Sequence, residues 1–455
     1  MQLRSTNPAT GELIGEYPEL HFEEIEQRIQ LSFDAFQHWK KTTCRQRVER
    51  FEVMADLLCK NSEPLAQLIT LEMCKTIREA RAEIEKCASV CRYYASEAEG
   101  FLTSRTIATD ASLSYVCYRP LGPILAIMPW NFPFWQVFRC AIPALAAGNT
   151  ILLKHASNVS GCSLAIEKLF LEAGFPDHVF QSVLISNQKV DVLINHRRIK
   201  GISLTGSTQV GREVAQQAGR QLKKTVLELG GSDPYIILED ADLQLAASRC
   251  VSGRLINAGQ SCIGAKRFIV VDKIYDEFLE LFVHQMRSVH MGNPLDEQTT
   301  IGPMARKNLR DDLHMQVIRS IDKGATLLTG GILPETAGYF YPPTVLTNIQ
   351  PGMPAWHEEL FGPVASIIKV PHLQRAIEVA NDTPFGLGAS IFTADTALAR
   401  KLAEEDLEAG CCFVNESVRS DPRMPFGGIN ESGYGRELSK EGLLEFCNIK
   451  TIWIK

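Results

Sequence analysis

The amino-acid sequence predicts an α/β fold built around two parallel sheets. Short apolar runs alternate with helix-like stretches between residues 124 and 229, and the same alternation returns from Tyr235 to about Val414. Strands that alternate with helices are typical of βαβ units, which form parallel sheets. The chain has 455 residues, and two or three domains are expected because a single hydrophobic core stops growing at roughly 250–300 residues.

The N-terminal quarter of the chain predicts helices. Apolar residues recur at intervals of three and four along two segments, which indicates one buried face on each helix. The two faces consist of Phe22, Ile25, Ile29, Phe33 and Phe36, and of Val48, Phe51, Met54 and Leu58. Residues 75–98 are rich in Glu, Ala, Arg and Lys, so we expect a long, largely exposed helix with a packing role and no part in the chemistry.

The first predicted sheet takes its strands from apolar runs at residues 124–128, 150–154, 179–185, 201–205 and 225–229. Helix-like stretches fall between them at 137–147, 162–173 and 210–218. Parallel sheets of this kind bind ligands at the carboxyl ends of their strands. Residues 112–119 and 450–455 alternate like exposed strands, and we expect them to pair across subunits.

The composition is that of an ordinary globular protein, with 45% hydrophobic and 22% charged residues. A net charge of −6 argues against nucleic-acid binding, which favours a basic patch. No apolar run approaches the ~18 residues of a membrane helix, and the start of the chain lacks the apolar core of a signal peptide. Thirteen cysteines without CxxC spacing predict free thiols in a reducing, cytoplasmic compartment, and ten histidines outside metal-ligand spacing predict no catalytic metal.

The most informative segment is NAGQSC at residues 257–262. Its cysteine, Cys262, stands among small and polar residues after a glycine that permits a tight turn. The other cysteines lie in helix-like stretches or beside apolar runs, where a thiol usually packs as a small hydrophobic group. The segment LELGG at 227–231 places a lone carboxylate, Glu228, between two leucines. Because an attacking thiol and a proton-accepting carboxylate are the minimum parts of a covalent catalyst, the two segments predict an enzyme that forms a thioester.

Two further segments follow predicted strands. In MPWNFP at 128–133, two prolines stiffen the loop, and the Asn131 amide could donate to an oxyanion formed at Cys262. The alternative is a turn asparagine bonded to local backbone. In TGSTQVG at 205–211, Gly206, Ser207 and Gly211 open a predicted helix, whose free amides suit a pyrophosphate. A tight strand-to-helix turn without a ligand is equally open.

Six motifs occur in the order found in aldehyde dehydrogenases, and on them the chain resembles that family from about Asn7 to the C-terminus. The motifs are WNFP, GSTxxG, LELGG, GQSC, EELFGP at 358–363 and PFGG at 425–428. Within the family the chain is most similar to NADP-dependent succinate-semialdehyde dehydrogenases of the short bacterial and cyanobacterial type.

The resemblance implies a domain organisation and an assembly. It implies a Rossmann-like parallel-sheet cofactor domain at residues 1–110 and 124–231 and an α/β catalytic domain at 232–426. A small oligomerisation element, formed by a hairpin and the C-terminal strand, would occupy 111–123 and 436–455. The expected assembly is a homodimer or homotetramer that acts on a small-molecule aldehyde, with neither nucleic acid nor membrane as a partner.

The resemblance also implies roles for individual residues. Cys262 resembles the nucleophile, Glu228 the general base, and Asn131 with the backbone N–H of Cys262 the oxyanion hole. The expected steps are a thiohemiacetal, hydride transfer to the nicotinamide, and hydrolysis of a thioester. The cofactor-binding positions are matched by Trp130, Lys154, Ser157, Gly206, Ser207, Gly211, Glu359 and Phe361.

Residues 154–157 bear on the choice of cofactor. Many family members that use NAD carry a glutamate three residues after the strand-end lysine, where it binds the ribose 2′-hydroxyl, and this chain has Ser157 there. Because no carboxylate stands at position 157, the Lys154 ammonium is available to bind a 2′-phosphate. His155 could add a hydrogen-bond donor. We therefore expect NADP to be preferred, with NAD possible; the alternative is that both cofactors work.

Two residues resemble ligands of a substrate carboxylate. Arg139, on the helix that leaves the Asn131 loop, stands among apolar residues and needs an anionic partner. An internal salt bridge is the alternative to substrate binding. Ser420 resembles a second contact. A further arginine of some relatives is replaced by Ile256, which could weaken affinity or loosen chain-length selectivity, and Gly264 replaces a redox partner found two residues after the nucleophile.

The expected reaction is thus the oxidation of succinate semialdehyde to succinate. A broader aldehyde dehydrogenase, acting on glutarate semialdehyde or aliphatic aldehydes, is the first alternative. A homologue that kept the fold and lost turnover is the second, although the presence of Cys262, Glu228 and Asn131 speaks against it.

Overall fold

The computed structural model describes residues 2–455 and contains three main sheets surrounded by helices. The strands are β1 Gln2–Thr6, β2 Leu13–Pro18, β3 Arg105–Thr106, β4 Leu113–Pro120, β5 Pro123–Met128, β6 Thr150–His155, β7 Phe180–Ser182, β8 Gly201–Thr205, β9 Lys224–Glu228, β10 Pro234–Ile237, β11 Arg267–Val271, β12 Thr326–Thr329, β13 Thr344–Thr347, β14 Val364–Val370, β15 Gly388–Phe392, β16 Cys411–Val414, β17 Gly433–Tyr434 and β18 Cys447–Ile454.

The helices connect and cover these strands. They are α1 Phe22–Trp39, α2 Cys44–Lys60, α3 Ser62–Met73, α4 Ile77–Phe101, α5 Trp135–Ala147, α6 Ser160–Glu172, α7 Val190–Asn195, α8 Thr208–Arg220, α9 Leu243–Leu255, α10 Tyr275–Arg287, α11 Lys307–Asp322, α12 Pro354–His357, α13 Leu373–Asn381, α14 Thr396–Lys401 and α15 Ser439–Glu445. In residues 2–455 none of them is both long and apolar enough to cross a membrane.

The first sheet has the order β17-β9-β8-β5-β6-β7 and is parallel except for β17. Strands β5, β6 and β8 are buried along their whole length, which explains their continuous apolar runs, since both faces of a parallel sheet are covered. The sequence predicted residues 179–185 as one strand, but only Phe180–Ser182 pair with β6. The carboxyl ends of β5, β6, β8 and β9 carry the four segments predicted to bind the cofactor or perform chemistry.

The second sheet has the order β12-β13-β14-β11-β10-β15-β16, and only β12 is antiparallel to its neighbour. Its core is separate from that of the first sheet and includes Tyr235, Phe268 and Trp356. The predicted α/β fold with two parallel sheets is therefore confirmed. The exact domain boundaries given above stay a prediction.

The prediction for residues 75–98 is wrong in one respect: the helix exists, but one face of it is buried. Ala80, Ile84, Cys87 and Cys91 lie on this face of α4, which packs against α2, α3 and α5. The charged residues that dominated the composition occupy the other faces, and small apolar residues form the buried stripe at helical spacing. This burial brings α4 next to the candidate site.

A third, three-stranded sheet has the order β18-β4-β3. Strand β18 pairs antiparallel with β4 of the same chain, with Cys447 opposite Pro120 and Ile454 opposite Leu113. The two segments predicted to pair across subunits thus pair within one chain. Ile449 and Trp453 on β18 remain exposed.

Candidate active site

The Cys262 loop begins with an unusual backbone. After α9 the chain passes through three residues with positive φ: Asn257 at 55°, Ala258 at 53° and Gly259 at 73°. Such conformations cost residues other than glycine roughly 1–2 kcal/mol each, and they persist where surrounding contacts hold them. Here the Asn257 amide donates to the carbonyl oxygens of Asn131 at 2.8 Å and Gln260 at 3.0 Å. The strained turn is therefore fastened to the Asn131 loop.

Gly259 allows two chain segments to touch. A Cβ built on it would lie 2.3 Å from the carbonyl carbon and oxygen of Gly362 and 2.7 Å from the nitrogen of Pro363, far closer than any side-chain carbon tolerates. The segment before Cys262 thus packs directly on the EELFGP segment. This contact, together with the positive φ, explains why glycine occupies this position.

Asn131 lies against the same loop. Its side chain is buried, and its Nδ2 donates to the carbonyl oxygen of Gln260 at 3.1 Å. Gln260 is remote in sequence, so the alternative of a turn asparagine bonded to local backbone is wrong. The side-chain amide of Asn131 is therefore hydrogen-bonded to the segment that leads into Cys262.

Glu228 ends strand β9, and glycines let its segment approach the backbone of the Cys262 segment closely. A Cβ on Gly231 would lie 2.8 Å from the carbonyl oxygen of Cys262, and a Cβ on Gly427 would lie 2.8 Å from Oε1 of Glu228. The carboxylate is buried, and neither of its oxygens has a hydrogen-bond partner within residues 2–455. LELGG, GQSC and PFGG thus converge on one point.

The surroundings change the acidity of both reactive groups. Desolvation raises the pKa of the Cys262 thiol to about 12, against the opposing effect of Arg139 and Lys266. Burial also raises the pKa of Glu228 well above its usual value, again against the Arg139 guanidinium. The thiol is therefore protonated at neutral pH and needs a proton acceptor, and a carboxylate with a raised pKa is a stronger base.

Lys266 and Glu359 form an ion pair beneath the Cys262 peptide. Lys266 Nζ lies 3.4 Å from Glu359 Oε1 and donates to the carbonyl oxygens of Ser261 at 3.0 Å and Cys262 at 2.8 Å. Glu359 also accepts from the backbone N–H of Gly231 at 3.0 Å. Glu359, the predicted nicotinamide-ribose ligand, thereby contacts the LELGG segment and, through Lys266, the Cys262 segment.

The two aromatic residues of the predicted cofactor site pack against each other. The rings of Trp130 and Phe361 meet edge to face, with centroids 6.0 Å apart. The guanidinium of Arg306 lies 5.6 Å from the centroid of the Trp130 ring. Because Trp130 belongs to the Asn131 loop and Phe361 to the EELFGP segment, this contact joins the two sides of the site.

The carboxyl end of β6 carries Lys154 and, beyond it, Ser157. Lys154 Nζ donates to Asn187 Oδ1 at 2.5 Å, and burial lowers the pKa of Lys154 to about 8. No carboxylate is paired with Lys154 in the described chain, and Ser157 is exposed at the start of a short 3₁₀ turn. An anionic group would find a cation here without a competing side-chain charge.

His155 does not serve this position, and the expectation that it adds a donor for a 2′-phosphate is wrong. Its Nε2 lies 2.8 Å from the carbonyl oxygen of Pro133, and its Nδ1 lies 3.0 Å from the backbone nitrogen of Ala156 and 3.2 Å from the carbonyl oxygen of Met128, so both ring nitrogens face protein backbone. Burial lowers the pKa of His155 to about 4. The neutral ring instead fixes the loop that carries Asn131.

The turn at 205–211 combines a free helix start with close packing. Ser207 caps α8 by accepting from the N–H of Val210, and Gly206 is half-buried beside it. A Cβ on Gly211 would lie 2.5 Å from Leu229 Cδ1. Gly211 therefore lets α8 pack on the LELGG segment, while the first turn of α8 remains open for a pyrophosphate.

A cavity of about 190 Å³ opens on Cys262. Its apolar wall includes Phe132, Trp135, Ile256, Ile263, Val418 and Phe426, and its polar lining includes Glu79, Glu83, Lys86, Arg139, Arg419 and Ser420. Ser420 lines this cavity, and its role as a contact of the substrate carboxylate stays a prediction. Arg139 lines the cavity as well, but its Nε is paired with the Glu437 carboxylate, which is the internal salt bridge named as the alternative.

Three residues of the site escaped the sequence analysis. Lys86 lay in the helix assigned to packing, and Glu437 and Lys266 stand outside the recognised motifs. The available signal for Lys86 was its place beside the small residues Cys87 and Cys91, which indicate a buried helix face. Nothing in the local sequence of Glu437 indicates that it meets Arg139.

Comparison with known proteins identifies the family. The chain matches the model of the aldehyde dehydrogenase family over residues 1–452. It is 47% identical over 449 residues to the succinate semialdehyde dehydrogenase [NAD(P)+] Sad of Escherichia coli K12, covering 99% of this chain and 97% of that protein. It is 45% identical over 457 residues to the succinate-semialdehyde dehydrogenase [NADP(+)] of Mycobacterium leprae, with complete coverage of both chains.

Solved structures give the same result. The succinic semialdehyde dehydrogenase of Streptococcus pyogenes, in complex with NADP+ as the cofactor, superposes with a TM-score of 0.97 at 37% identity and 99% coverage of both chains. The resemblance inferred from the six motifs is confirmed along the full chain. This chain belongs to the aldehyde dehydrogenase family.

Proposed function

We propose that the protein oxidises succinate semialdehyde to succinate with NADP as the preferred cofactor. The proposal rests chiefly on one observation: Cys262 opens on a small cavity that also presents cationic and hydroxyl groups. Pockets for larger ligands measure about 300–1,000 Å³, so a cavity of about 190 Å³ fits a short aldehyde. The relatives named as succinate-semialdehyde dehydrogenases support the same substrate.

The end of β6 supports NADP. Within residues 2–455, the buried cation Lys154 is bound to the Asn187 amide and to no carboxylate, and Ser157 places no negative charge beside it. A 2′-phosphate would gain a charge-assisted hydrogen bond from Lys154. The Ser207 turn would hold the pyrophosphate at the start of α8, and Glu359 and Phe361 would contact the nicotinamide half. When bound, the cofactor supplies the hydride acceptor.

The first chemical step belongs to Cys262 and Asn131. The thiol loses its proton to Glu228, directly or through water, and the thiolate attacks the aldehyde carbon to form a thiohemiacetal. The oxygen that becomes negative faces the Asn131 amide and the backbone N–H of Cys262. One such donor is worth roughly 3 kcal/mol in transition-state stabilisation. The Asn257 bridge and Lys266 hold both partners in place.

Hydrolysis belongs to Glu228. Oxidation of the thiohemiacetal leaves a thioester on Cys262 Sγ, and a water molecule must then attack its carbonyl carbon. Before this step Glu228 must release the thiol proton to solvent. Its two oxygens have no hydrogen-bond partner within residues 2–455 and burial raises its pKa, so the carboxylate can then remove the proton from that water. Collapse of the tetrahedral intermediate releases succinate and restores the thiol.

The test combines a substrate panel with a nucleophile variant. Wild-type protein is assayed with succinate semialdehyde, glutarate semialdehyde and butanal, each with NADP and NAD, by the absorbance of the reduced cofactor. We expect the highest kcat/KM for succinate semialdehyde with NADP. Cys262→Ala should abolish turnover while cofactor binding, followed by tryptophan fluorescence, persists. Turnover by Cys262→Ala, or a preference for NAD, would contradict the proposal.

A broader specificity is the second candidate, and two observations favour it. Arg139 is paired with Glu437, and Ile256 provides no cation at its position. The cavity would then recognise a carboxylate less strictly and accept glutarate semialdehyde or aliphatic aldehydes. Equal kcat/KM values across the panel would establish this candidate instead.

We also propose a cytoplasmic homodimer or homotetramer with the domain boundaries given above. The exposed apolar side chains of the β18-β4-β3 sheet, including Ile449 and Trp453, support an assembly surface there. Free thiols at all thirteen cysteines fit a reducing compartment. Light scattering of the purified protein distinguishes a monomer, which would contradict this assignment, from the two oligomers.

A further inference from the structure

We propose that Lys86, together with Ser420, binds the carboxylate of the substrate, and that Arg139 is a positioning residue paired to Glu437. The inference rests on the proposed function and adds a specificity residue on α4 to it. Lys86 Nζ donates to Ser420 Oγ at 2.8 Å, and both side chains line the cavity that holds Cys262. A carboxylate that entered the cavity would meet an ammonium and a hydroxyl at one place.

Lys86 forms no ion pair within residues 2–455. In the part of the chain that the structure describes, no carboxylate oxygen lies within 4.0 Å of its ammonium. The two nearby acids are occupied: Glu83 pairs with Lys75 at 2.5 Å, and Asp421 pairs with Arg423 at 2.6 Å. A half-buried ammonium without an anion is costly, which a bound carboxylate would relieve.

The other acid of the cavity is occupied as well. Glu79 accepts from the backbone N–H of Asn257 at 2.6 Å and from the hydroxyl of Thr76 at 3.0 Å. Its charge is therefore held at the edge of the Cys262 loop and is not directed at Lys86. Of the two acids that line the cavity, neither is therefore paired with Lys86.

Arg139 is a poorer carboxylate ligand than Lys86. Its Nε is paired with Glu437, and its guanidinium carbon lies 4.6 Å from the centroid of the Phe426 ring. The side chain is fully buried. A substrate carboxylate would have to compete with Glu437, whereas at Lys86 it competes with a single hydroxyl. Arg139 instead neutralises Glu437 next to the base Glu228.

The wall next to Lys86 suits a short aliphatic chain. The ammonium lies 4.3 Å from the centroid of the Trp135 ring, and Phe132 and Ile263 continue the apolar lining toward Cys262. Methylene groups would pack on this wall while the carboxylate reaches the ammonium. The cavity therefore combines an apolar path with a charge at its side, which is the chemistry of an ω-carboxy aldehyde.

Titration of Lys86 provides a second signature. Burial, and next the Arg139 guanidinium, lower the pKa of Lys86 to about 8. The groups that face it are Arg139, Cys87, Glu83 and Asp421; burial raises the pKa of Cys87 far above 9, so this thiol is neutral. Since the ammonium is required for carboxylate binding, preference for the charged substrate should decline as pH rises through about 8.

The test compares charged and neutral aldehydes of equal length. Lys86→Gln keeps a donor near Ser420 but removes the charge, and Lys86→Arg restores the charge. We expect Lys86→Gln to lower kcat/KM for succinate semialdehyde by about 10- to 100-fold, mainly through KM, while butanal is affected much less. Lys86→Arg should recover part of the loss. Arg92→Gln removes a charge from an exposed position of the same helix and serves as the matched control.

Each outcome has a distinct meaning. If wild-type protein does not favour succinate semialdehyde over butanal, the proposed function fails. If the wild type has this preference but Lys86→Gln keeps it, the Lys86 assignment fails. If Arg419→Gln loses the preference for succinate semialdehyde and Lys86→Gln does not, the substrate carboxylate binds at Arg419 instead. Should Lys86→Gln fail to fold, the preference of the wild type measured across pH 7 to 9.5 decides, and a flat profile would overturn the assignment.

Discussion

Replacing Gly259 by alanine tests whether the contact behind Cys262 sets the geometry of catalysis. Alanine at a φ of 73° costs roughly 1–2 kcal/mol. The larger effect comes from the new methyl group, which would lie 2.3 Å from the carbonyl of Gly362. Ordinary contact begins near 3.4 Å, so the two segments must separate by about 1 Å.

A displacement of this size acts on turnover more than on stability. Misplacing reacting groups by about 1 Å can cost ~100-fold in rate, and we expect kcat of Gly259→Ala to fall by about this factor. The matched control is Gly174→Ala, because Gly174 has a φ of 77° but nothing within 4 Å of its added Cβ. The control therefore carries the backbone strain without the collision.

The assay measures kcat and KM with succinate semialdehyde and NADP, and thermal unfolding by circular dichroism. Gly174→Ala should lose stability while keeping kcat, and Gly259→Ala should lose both. Cofactor binding, followed by fluorescence, verifies that Gly259→Ala is folded. A kcat for Gly259→Ala within about threefold of the control would refute the argument that this contact places the thiol.

Two further predictions concern strand β6. Ser157→Glu should lower the ratio of kcat/KM for NADP to kcat/KM for NAD by at least about tenfold, because a carboxylate beside Lys154 repels the 2′-phosphate. The control Ser96→Glu, on an exposed part of α4, should leave this ratio unchanged. His155 has a pKa of about 4 in the folded protein and 6.5 as its reference value. The unfolded chain therefore takes up the proton first as pH falls, and this group alone should remove about 2 kcal/mol of stability between pH 8 and pH 5. His155→Gln should show a smaller loss in chemical denaturation at the two pH values, and an equal loss would contradict the buried neutral ring.

The strands were predictable because burial on both faces leaves a continuous apolar run. Residues 124–128 and 201–205 coincide with β5 and β8 almost residue for residue. The length of strand β7 was overestimated because Val183 and Ile185 are still apolar and buried although the paired register with β6 ends at Ser182. Apolar character reports burial, and it does not report hydrogen bonding to a neighbour.

Helix α4 shows the opposite limit. Its composition is dominated by charged residues, yet Ala80, Ile84, Cys87 and Cys91 form a buried stripe. Small residues contribute little to the hydrophobicity of a segment, so the average hydrophobicity of α4 did not indicate that one of its faces is buried. The consequence was functional, because Lys86 stands at the border between the buried and exposed faces, where a cation can reach a cavity.

The ion pairs of the site lie beyond any local pattern. Arg139 and Glu437 meet only because α5 and the segment before α15 pack together. The sequence could name both possible fates of Arg139, a substrate ligand or an internal pair, and could not choose between them. The choice depends on a partner from the far end of the chain.

Three glycines of the site explain why the chemistry could be predicted while the geometry could not. Gly231, Gly259 and Gly427 each stand where an added Cβ would collide with another segment: the Cys262 carbonyl, the Gly362 carbonyl and the Glu228 carboxylate. A glycine in a sequence can indicate that another chain segment packs closely against it, but it carries no side chain from which that segment could be identified. The reactive groups Cys262 and Glu228 are recognisable by their chemistry, whereas their mutual placement depends on these three contacts between segments that are distant in sequence. Enlarging any of the three should therefore impair turnover even though none of the glycines lines the cavity at Cys262.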